Sequence, residues 1–205
     1  MDAVAMDKSG AGKNILLIQG HPDSSQDHLC HTLADAYVSG AAAGGHTVRF
    51  CIVAQLDFPL LRNEREWEQS EAPPSLRQTQ EDIRWAQHLV LVYPLWLGDM
   101  PALLKGFLEQ VARPGFAFAR DKLTPLAKKP LAGRSARVIV TMGMPALVYR
   151  WYFRAHSVKS TKRNILRFVG IAPVHETLIG MAGSSNAETI ADWVGKLEQL
   201  GREAI

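Results

Sequence analysis

Short apolar runs alternate along the chain with longer stretches in which apolar and polar residues recur at helical spacing. The first run, NILLIQ, is apolar almost throughout, as in a strand that is covered on both faces of a sheet. Later runs have the same character. Together they predict five strands, at residues 14–19, 47–53, 89–93, 137–141 and 174–179.

The stretches between these runs predict helices. The first extends over residues 27–43 and stops at the glycine pair 44–45, a typical helix end. Ser25 or Asp27 is predicted to cap its start. The later helices are predicted at residues 75–86, 101–111, 161–169 and 186–200.

The connection over residues 54–74 is rich in proline and charge, which predicts an excursion over the surface. Ser75, directly after it, is predicted to cap the second helix. Strands that alternate with helices along the whole chain indicate an α/β domain. Right-handed crossovers then produce a doubly wound parallel sheet with helices on both faces.

Length and composition fit one soluble domain of this kind. Of the 205 residues, 47% are hydrophobic and 21% are charged, which is ordinary for a globular protein. We expect residues 1–13 to form a disordered tail and residues 14–205 to form a single domain. The net charge of +3 does not favour nucleic acid as a partner. No apolar segment reaches the roughly 18 residues of a membrane span.

The two cysteines, Cys30 and Cys51, lack metal-ligand spacing, so no metal site is predicted. Buried reduced thiols are the expected state, which fits the cytoplasm. Basic residues cluster over 150–167. This cluster is interpreted either as a solvated helix face or as a surface that attracts a phosphorylated cofactor.

The unusual residues of this chain lie in the loops that follow the predicted strands. These loops are residues 20–26, 94–100 and 142–145, together with the region after the fifth strand. Ligands of doubly wound sheets bind at the carboxyl ends of the strands. The sequence therefore places the candidate site at this edge of the sheet.

The first loop, GHPDSSQDH, leads directly into a helix. Its hydroxyls, its imidazoles and the free N–H groups of the helix start suit a phosphate. The Gly-x-Gly-x-x-Gly spacing of nicotinamide-binding folds and the Gly-Lys-Ser/Thr of a P-loop are both absent from it. Helix capping alone is the competing interpretation.

The second loop, YPLWLGDMP, is apolar where an exposed loop is usually polar. Pro94 restricts the backbone, so that the N–H and C=O groups of Leu95, Trp96 and Leu97 are predicted to point outward. An apolar surface combined with backbone polar groups suits a flavin ring. Burial of Trp96 in the core or in a dimer interface is the alternative.

The third loop, TMGMP, offers the hydroxyl of Thr141 and, at Gly143, a backbone that a ligand can approach closely. Tyr149, Tyr152 and His156 follow within fifteen residues. A tyrosine hydroxyl and an imidazole near a flavin can stabilise charge or pass protons as a quinone is reduced. The same aromatic segment is also typical of an interface helix.

At these loops the sequence resembles the flavodoxin-like NAD(P)H:quinone oxidoreductases, the group of DT-diaphorase and modulator of drug activity. The resemblance covers about residues 14–200 and rests on GHPDSSQDHL, YPLWLGDMPALLKGFLEQV with RPGFAF, TMGMP and NILRFVGI. The second segment is the specific one, because the family form is (F/Y)PLxWxxMPAxLKGxxxxV. The resemblance implies a five-stranded sheet in the order 2-1-3-4-5.

The resemblance also implies a flavin at the strand ends, commonly across a homodimer interface, and hydride transfer from NAD(P)H to the flavin and then to a quinone. By position, the flavin phosphate is surrounded by His21, Ser25, Asp27 and His28. The ring is held by Pro94, Leu95, Trp96 and Leu97. The edge of the ring is covered by Thr141, Met142, Gly143 and Met144. Tyr149 and His156 fall near the family's catalytic tyrosine and histidine.

The chain departs from the family pattern at three places. Asp27 stands where the family usually has Asn, and Leu97 replaces a frequent Trp. Met144 and Pro145 follow Gly143 where many relatives have a second glycine. These departures predict a hydride site of different shape, and with it a different choice of substrate.

We therefore predict an NAD(P)H dehydrogenase of quinones, homodimeric and cytoplasmic, that uses FMN, with FAD as the alternative. FMN is favoured because the chain has no long extension after the last predicted helix. Two other functions stay open at this point. One is a flavin-binding regulatory subunit of a potassium-efflux transporter, with that transporter as its partner, and the other is a flavodoxin-type electron carrier.

Overall fold

The computed structural model describes residues 12–69, 71–118 and 129–205. Within these ranges, all strand pairs of one five-stranded sheet are parallel, in the order β2-β1-β3-β4-β5. The strands are β1 Asn14–Gln19, β2 Thr47–Ile52, β3 His88–Pro94, β4 Ser135–Thr141 and β5 Val174–Ile179. The predicted fold class and strand order are confirmed. The predicted tail lies almost entirely outside the described residues.

Helices cover both faces of this sheet. They are α1 Leu29–Ala43, α2 Glu64–Gln69, α3 Pro74–Trp85, α4 Ala102–Val111, α5 Ala146–Trp151, α6 His156–Ser160 and α7 Ala187–Glu203. A 3₁₀ turn at Val53–Gln55 follows β2, and a π-helical turn at Thr161–Leu166 continues α6. No helix in the described ranges is long and apolar enough to cross a membrane.

Alternating side chains of the sheet feed two cores. Leu16 and Leu91 belong to the larger core, whereas Leu17 and Val90 belong to the core that contains residues of α1 and α7. This explains why β1 and β3 read as continuous apolar runs: both faces of a central strand are buried. The helices α1 and α7 touch closely, because a Cβ placed on Gly201 would lie 2.0 Å from the carbonyl oxygen of Tyr37.

Two predicted helix caps are wrong. The helix α1 begins at Leu29 after His28, so neither Ser25 nor Asp27 caps it. The amide of His28 instead donates to Nδ1 of His31, at 3.2 Å. Ser75 lies inside α3, and its hydroxyl donates to the carbonyl oxygen of Asp57 at 2.6 Å.

The long connection between β2 and α3 contains the helix α2. The charges and prolines of this connection did not predict a helix. Trp67 of this helix lies with its ring centroid 6.0 Å from that of Phe118. Arg113 donates a hydrogen bond to the carbonyl oxygen of Glu66. The segment therefore runs over the surface, as predicted, and α2 packs it against the chain beyond α4.

Candidate functional site

Loops from four strands meet at the carboxyl edge of the sheet, where the sequence placed the site. Backbone hydrogen bonds extend the strand ladder into them: Gly20 N to Val92 O at 2.8 Å, and Leu95 N to Thr141 O at 2.7 Å. The loop after β5 joins in the same way, since Ala182 N donates to the carbonyl oxygen of Met142 at 3.0 Å. The loops are thereby fixed relative to one another by the sheet itself.

The loop after β3 is a tight two-residue turn with an apolar tip. Trp96 and Asp99 exchange backbone hydrogen bonds of 2.9 and 3.0 Å across Leu97 and Gly98. Both central residues have positive φ, 48° and 83°. Leu97 is fully exposed and Trp96 is 50% exposed. An apolar residue held in this conformation at full exposure is costly in an isolated domain, which points to a binding role.

The predicted outward backbone groups of this loop are only partly present. The amides of Leu95 and Trp96 donate to Thr141 and Asp99, so they are engaged inside the protein. Among the described residues, the amide of Leu97 has no such partner. Hydrogen bonds within the protein therefore occupy two of the three amides that were expected to point outward.

Three histidines of the first loop and the start of α1 lie together beside Trp96. The ring of His21 stacks on His28 at 3.9 Å, and it meets the indole of Trp96 edge-on at 5.7 Å. The ring of His31 lies 5.6 Å from each of the other two. Burial lowers the pKa of His21. The first loop and the apolar loop after β3 are therefore in direct contact.

A carboxylate that the sequence analysis overlooked, Asp23, organises the first loop. It accepts hydrogen bonds from the amide of Ser25 at 2.8 Å and from the Ser25 hydroxyl at 2.6 Å. Gln26 Nε2 at 3.1 Å and His28 Nε2 at 2.9 Å bind its other oxygen. Donation from Ser25, followed by that from His28, holds the pKa of Asp23 well below its usual range. An Asp two residues before a Ser is the turn signal that reveals it.

The other predicted phosphate ligands are placed differently. Asp27 faces solvent, and Ser25 is exposed. Beneath the loop, Gln19 accepts the amide of His21 at 2.5 Å, whereas its buried Nε2 has no partner among the described residues. The loop thus retains a buried donor that its own residues do not satisfy.

The loop after β4 supplies an open backbone at the same edge. Gly143 is exposed, and a Cβ added there would meet nothing within 4 Å. Thr141 and Met142 are buried, and the Thr141 hydroxyl lies 3.2 Å from the thiol of Cys30. Both Cys30 and Cys51 are free and buried, as predicted. Met144 is half-buried beside Gly143.

Tyr149 and His156 differ in their surroundings. The Tyr149 side chain is buried; its hydroxyl lies 2.6 Å from that of Ser157 and accepts the amide of Val158 at 3.3 Å. The hydroxyl is therefore committed to α6. His156 is exposed at the first residue of α6. The structure does not place the two side chains in contact.

The basic cluster is partly neutralised on the surface. Arg150 and Lys162 both pair with Glu176, at 3.5 and 2.7 Å. These pairs favour the interpretation as a solvated face for the two residues concerned. Within the described residues, no group of three or more His, Cys, Asp or Glu forms a metal site.

Two bacterial oxidoreductases are similar to this chain over most of its length. A Haemophilus influenzae protein named as an NAD(P)H oxidoreductase is 26% identical, over 82% of this chain and 83% of its own length. An FMN-dependent NADH:quinone oxidoreductase of Beijerinckia indica is 28% identical, over 94% of this chain and 99% of its own length.

A solved structure shares the fold. The NAD(P)H:quinone oxidoreductase from Methanothermobacter marburgensis superposes with a TM-score of 0.79 at 20% identity, covering 94% of this chain and 97% of that one. The family described by its flavodoxin-like fold matches residues 13–200. The chain therefore belongs to the flavodoxin-like fold family.

Proposed function

We propose that the protein is a flavin-dependent oxidoreductase that transfers a hydride from NAD(P)H, through the flavin, to quinones or similar acceptors. The observation that carries the proposal is the meeting of the Trp96 turn, the histidine-rich first loop and the Gly143 loop at one edge of a parallel sheet. Relatives named NAD(P)H oxidoreductase and FMN-dependent NADH:quinone oxidoreductase support the same activity.

The residues at this edge fit a flavin mononucleotide. Trp96 offers a half-exposed aromatic surface, and the open space at Gly143 lets a flat ring approach the backbone. Gln19 contributes a buried donor that a polar group of a ligand can satisfy. FMN is the cofactor of the Beijerinckia indica relative, as its name states, and we propose FMN, with NAD(P)H as donor, for this chain.

Three groups of residues are proposed to hold the cofactor. His21, Ser25, Asp27 and His28 lie in the loop proposed for the phosphate. Pro94, Leu95, Trp96 and Leu97 form the surface proposed for the ring, and Thr141, Met142, Gly143 and Met144 line the loop proposed for its edge. The contact between His21 and Trp96 makes the first two groups continuous.

When bound by these three groups of residues, the flavin would supply the redox chemistry, namely hydride transfer between NAD(P)H and the acceptor. The chain's own residues position the flavin and the substrates and exclude water from the site. Trp96 and Leu97 provide an apolar wall, against which donor and acceptor occupy the same slot in turn. His156, exposed at the start of α6, is proposed to supply a proton to the reduced acceptor.

Tyr149 is proposed to act on the site through position. Its hydroxyl is bound to Ser157 and Val158, so it joins α5 to α6 and holds the start of α6, where His156 stands. The interpretation of Tyr149 as a direct proton donor would require these buried bonds to break. Positioning is therefore the role that the geometry supports.

A homodimer is the proposed assembly. The helix α5 and the residues after it expose large apolar side chains, and such patches usually mark interfaces. They are Leu147, Val148, Trp151, Tyr152 and Phe153. In sedimentation equilibrium, we expect a molecular mass close to twice the chain mass of 22.6 kDa.

The regulatory alternative, a subunit of a potassium-efflux transporter, is not favoured, because the relatives are named as oxidoreductases. We place the protein in the cytoplasm, where the reduced nicotinamide pool is available to such an enzyme. The two free buried thiols agree with a reducing compartment.

The visible spectrum of the purified protein tests the proposal. After reconstitution with FMN, we expect a flavin band near about 450 nm that NADPH or NADH bleaches under anaerobic conditions and a quinone restores. Absence of the band after incubation with either FMN or FAD would remove the proposed function. A band that no nicotinamide bleaches would instead leave a flavin-binding protein without this activity.

A further inference from the structure

Both carboxylate oxygens of Asp23 are bound by donors of its own loop. Ser25 supplies its amide and its hydroxyl, at 2.8 and 2.6 Å, to one oxygen. Gln26 and His28 supply side-chain nitrogens, at 3.1 and 2.9 Å, to the other. A carboxylate that receives this many hydrogen bonds is strongly stabilised in its charged form.

These donors overlap with those proposed to hold the flavin phosphate, since Ser25 and His28 belong to both sets. The two neighbouring histidines are bound to the backbone of this loop through Nδ1. Nδ1 of His21 accepts the amide of Asp23 at 3.1 Å, and Nδ1 of His31 accepts the amide of His28 at 3.2 Å. Asp27, the second carboxylate of the loop, faces solvent.

The position of Asp23 is one that favours an anion. Its carboxylate is bound by Nε2 of His28, the residue directly before α1, a helix of 15 residues whose amino terminus carries a partial positive charge. A phosphate dianion and a carboxylate cannot share the same donors without like-charge repulsion. Only one of the two anions can hold these donors at a time.

We infer that Asp23 is an internal competitor of the flavin phosphate, whose carboxylate must leave its four donors before a phosphate can take them. The inference rests on the proposed flavin function. The phosphate then contributes little net affinity, because binding it releases an anion that was already well bound. The chain therefore discriminates weakly between FMN and riboflavin, which lacks the phosphate.

Flavin titrations test this directly. Protein freed of flavin is titrated with FMN and, separately, with riboflavin, and binding is followed by quenching of flavin fluorescence. Asp23→Asn removes the negative charge while keeping the side-chain shape. We expect its dissociation constant for FMN to fall about tenfold or more, since the negative charge that holds the same donors is removed, while that for riboflavin stays within about twofold.

Asp192→Asn is the matched control. It removes the same charge from an exposed position of α7, with no donor of the first loop bound to it. Its FMN and riboflavin affinities are expected to stay within about twofold of the unmodified protein, because exposed charges are screened. A tenfold gain in FMN affinity in this control would attribute the Asp23 effect to net charge and overturn the inference.

Asp23 can alternatively serve only to shape the loop, and the same titrations separate the two roles. If Asp23→Asn binds FMN as weakly as the unmodified protein, or more weakly, the inference is wrong. The unmodified protein provides a test that needs no variant, because a preference for FMN over riboflavin above about a thousandfold would show a phosphate site without a competitor. If neither flavin binds the unmodified protein, the proposed function fails as well; if both bind and Asp23→Asn changes nothing, only this inference fails.

Discussion

Trp96 combines partial exposure with a fixed backbone, which suits a surface for an aromatic ligand. The indole is half-exposed and contacts His21, while its amide is tied across the turn to Asp99. We expect Trp96→Ala to raise the dissociation constant for FMN about tenfold, the loss of one stacking contact and its buried area. Fluorescence titration of the flavin-free protein measures it.

Tyr149→Phe is the comparison for Trp96→Ala. Its hydroxyl is committed to Ser157, so its removal is expected to change FMN affinity by less than about threefold. Loss of flavin in Tyr149→Phe with retention in Trp96→Ala would show that the site was assigned to the wrong loop.

Leu97 gives a second prediction at the scale of one residue. It is a branched residue at a φ of 48°, followed by Gly98, in a turn that usually takes Asn-Gly. Leu97→Asn should therefore raise the free energy of unfolding by about 1 kcal/mol, because Asn tolerates the left-handed conformation. Urea denaturation of the flavin-free protein measures this.

The same variant is expected to weaken binding of a quinone-like acceptor, since the exposed apolar surface of Leu97 is lost. A gain in stability together with a loss of acceptor affinity would identify strain that is kept for function. If Leu97→Asn instead lowers the free energy of unfolding, the Leu97 side chain makes a stabilising contact. A second protomer is then the proposed partner of that contact.

At the scale of the element, the sequence predicts the centre of the fold better than its periphery. The strand β5 has the predicted bounds, and β3 is longer by one residue at each end. β3 is buried throughout, whereas β5 is buried except at His175 and Glu176. The start of α1 was predicted two residues early, because Asp27 looks like a cap although the carboxylate that organises the loop is Asp23.

The missed features depend on contacts that are distant in sequence. The helix α2 has six, mostly polar residues, so its sequence gives little indication of a helix. Contacts of Trp67 with Phe118 and of Glu66 with Arg113 hold it in place. The turn at Leu97 was hidden for a different reason, since leucine is a poor predictor of positive φ. Apolar character made the Trp96 loop a candidate for binding, whereas its hydrogen bonding could not be deduced from residue types.

Tyr149 offers a prediction about how two short helices are joined. α5 and α6 meet where Arg154 and Ala155 adopt positive φ, and the buried bond between Tyr149 and Ser157 spans that bend. Tyr149→Phe should lower the free energy of unfolding by about 1–2 kcal/mol, because it leaves a buried hydroxyl and an amide without their partner. Urea denaturation measures the change.

Ser157→Ala and the double variant complete that test as a cycle. If the two hydroxyls act together, the effects of the single variants are not additive, and a coupling of about 1 kcal/mol is expected. Additive effects would mean that each hydroxyl has another partner. A shift in the pH profile of quinone reduction in Tyr149→Phe, with FMN affinity retained, would support its role in positioning His156.

At the scale of the whole molecule, the histidines of the candidate site lie apart from a histidine that is buried in the core. The three around the first loop belong to the candidate site, whereas His88 lies fully buried at the opposite end of β3. Its Nδ1 lies 2.7 Å from the Ser135 hydroxyl, and its Nε2 has no partner among the described residues. Such an imidazole is built to stay neutral.

This burial makes the fold sensitive to acid. Desolvation, followed by the charges of Lys13 and Arg137 and by His175 and His46, lowers the pKa of His88 to about 3. Below the unfolded value of about 6.5, the unfolded chain binds a proton that the folded chain refuses, so stability falls as the pH falls from about 6.5 toward 3. His88 alone should cost about 2 kcal/mol between pH 8 and pH 5.

Urea denaturation of His88→Gln against the unmodified protein isolates this effect. The variant is expected to be less stable at pH 8, because a packed ring is lost, yet its stability should depend less on pH by about 2 kcal/mol between pH 8 and pH 5. His175→Gln, an exposed site on β5, should keep the full dependence. His21, whose pKa is also lowered by burial, adds to the slope in both variants and cancels from the comparison. Equal slopes for His88→Gln and the unmodified protein would mean that the acid sensitivity resides in the site histidines, so that the loops rather than the core limit stability.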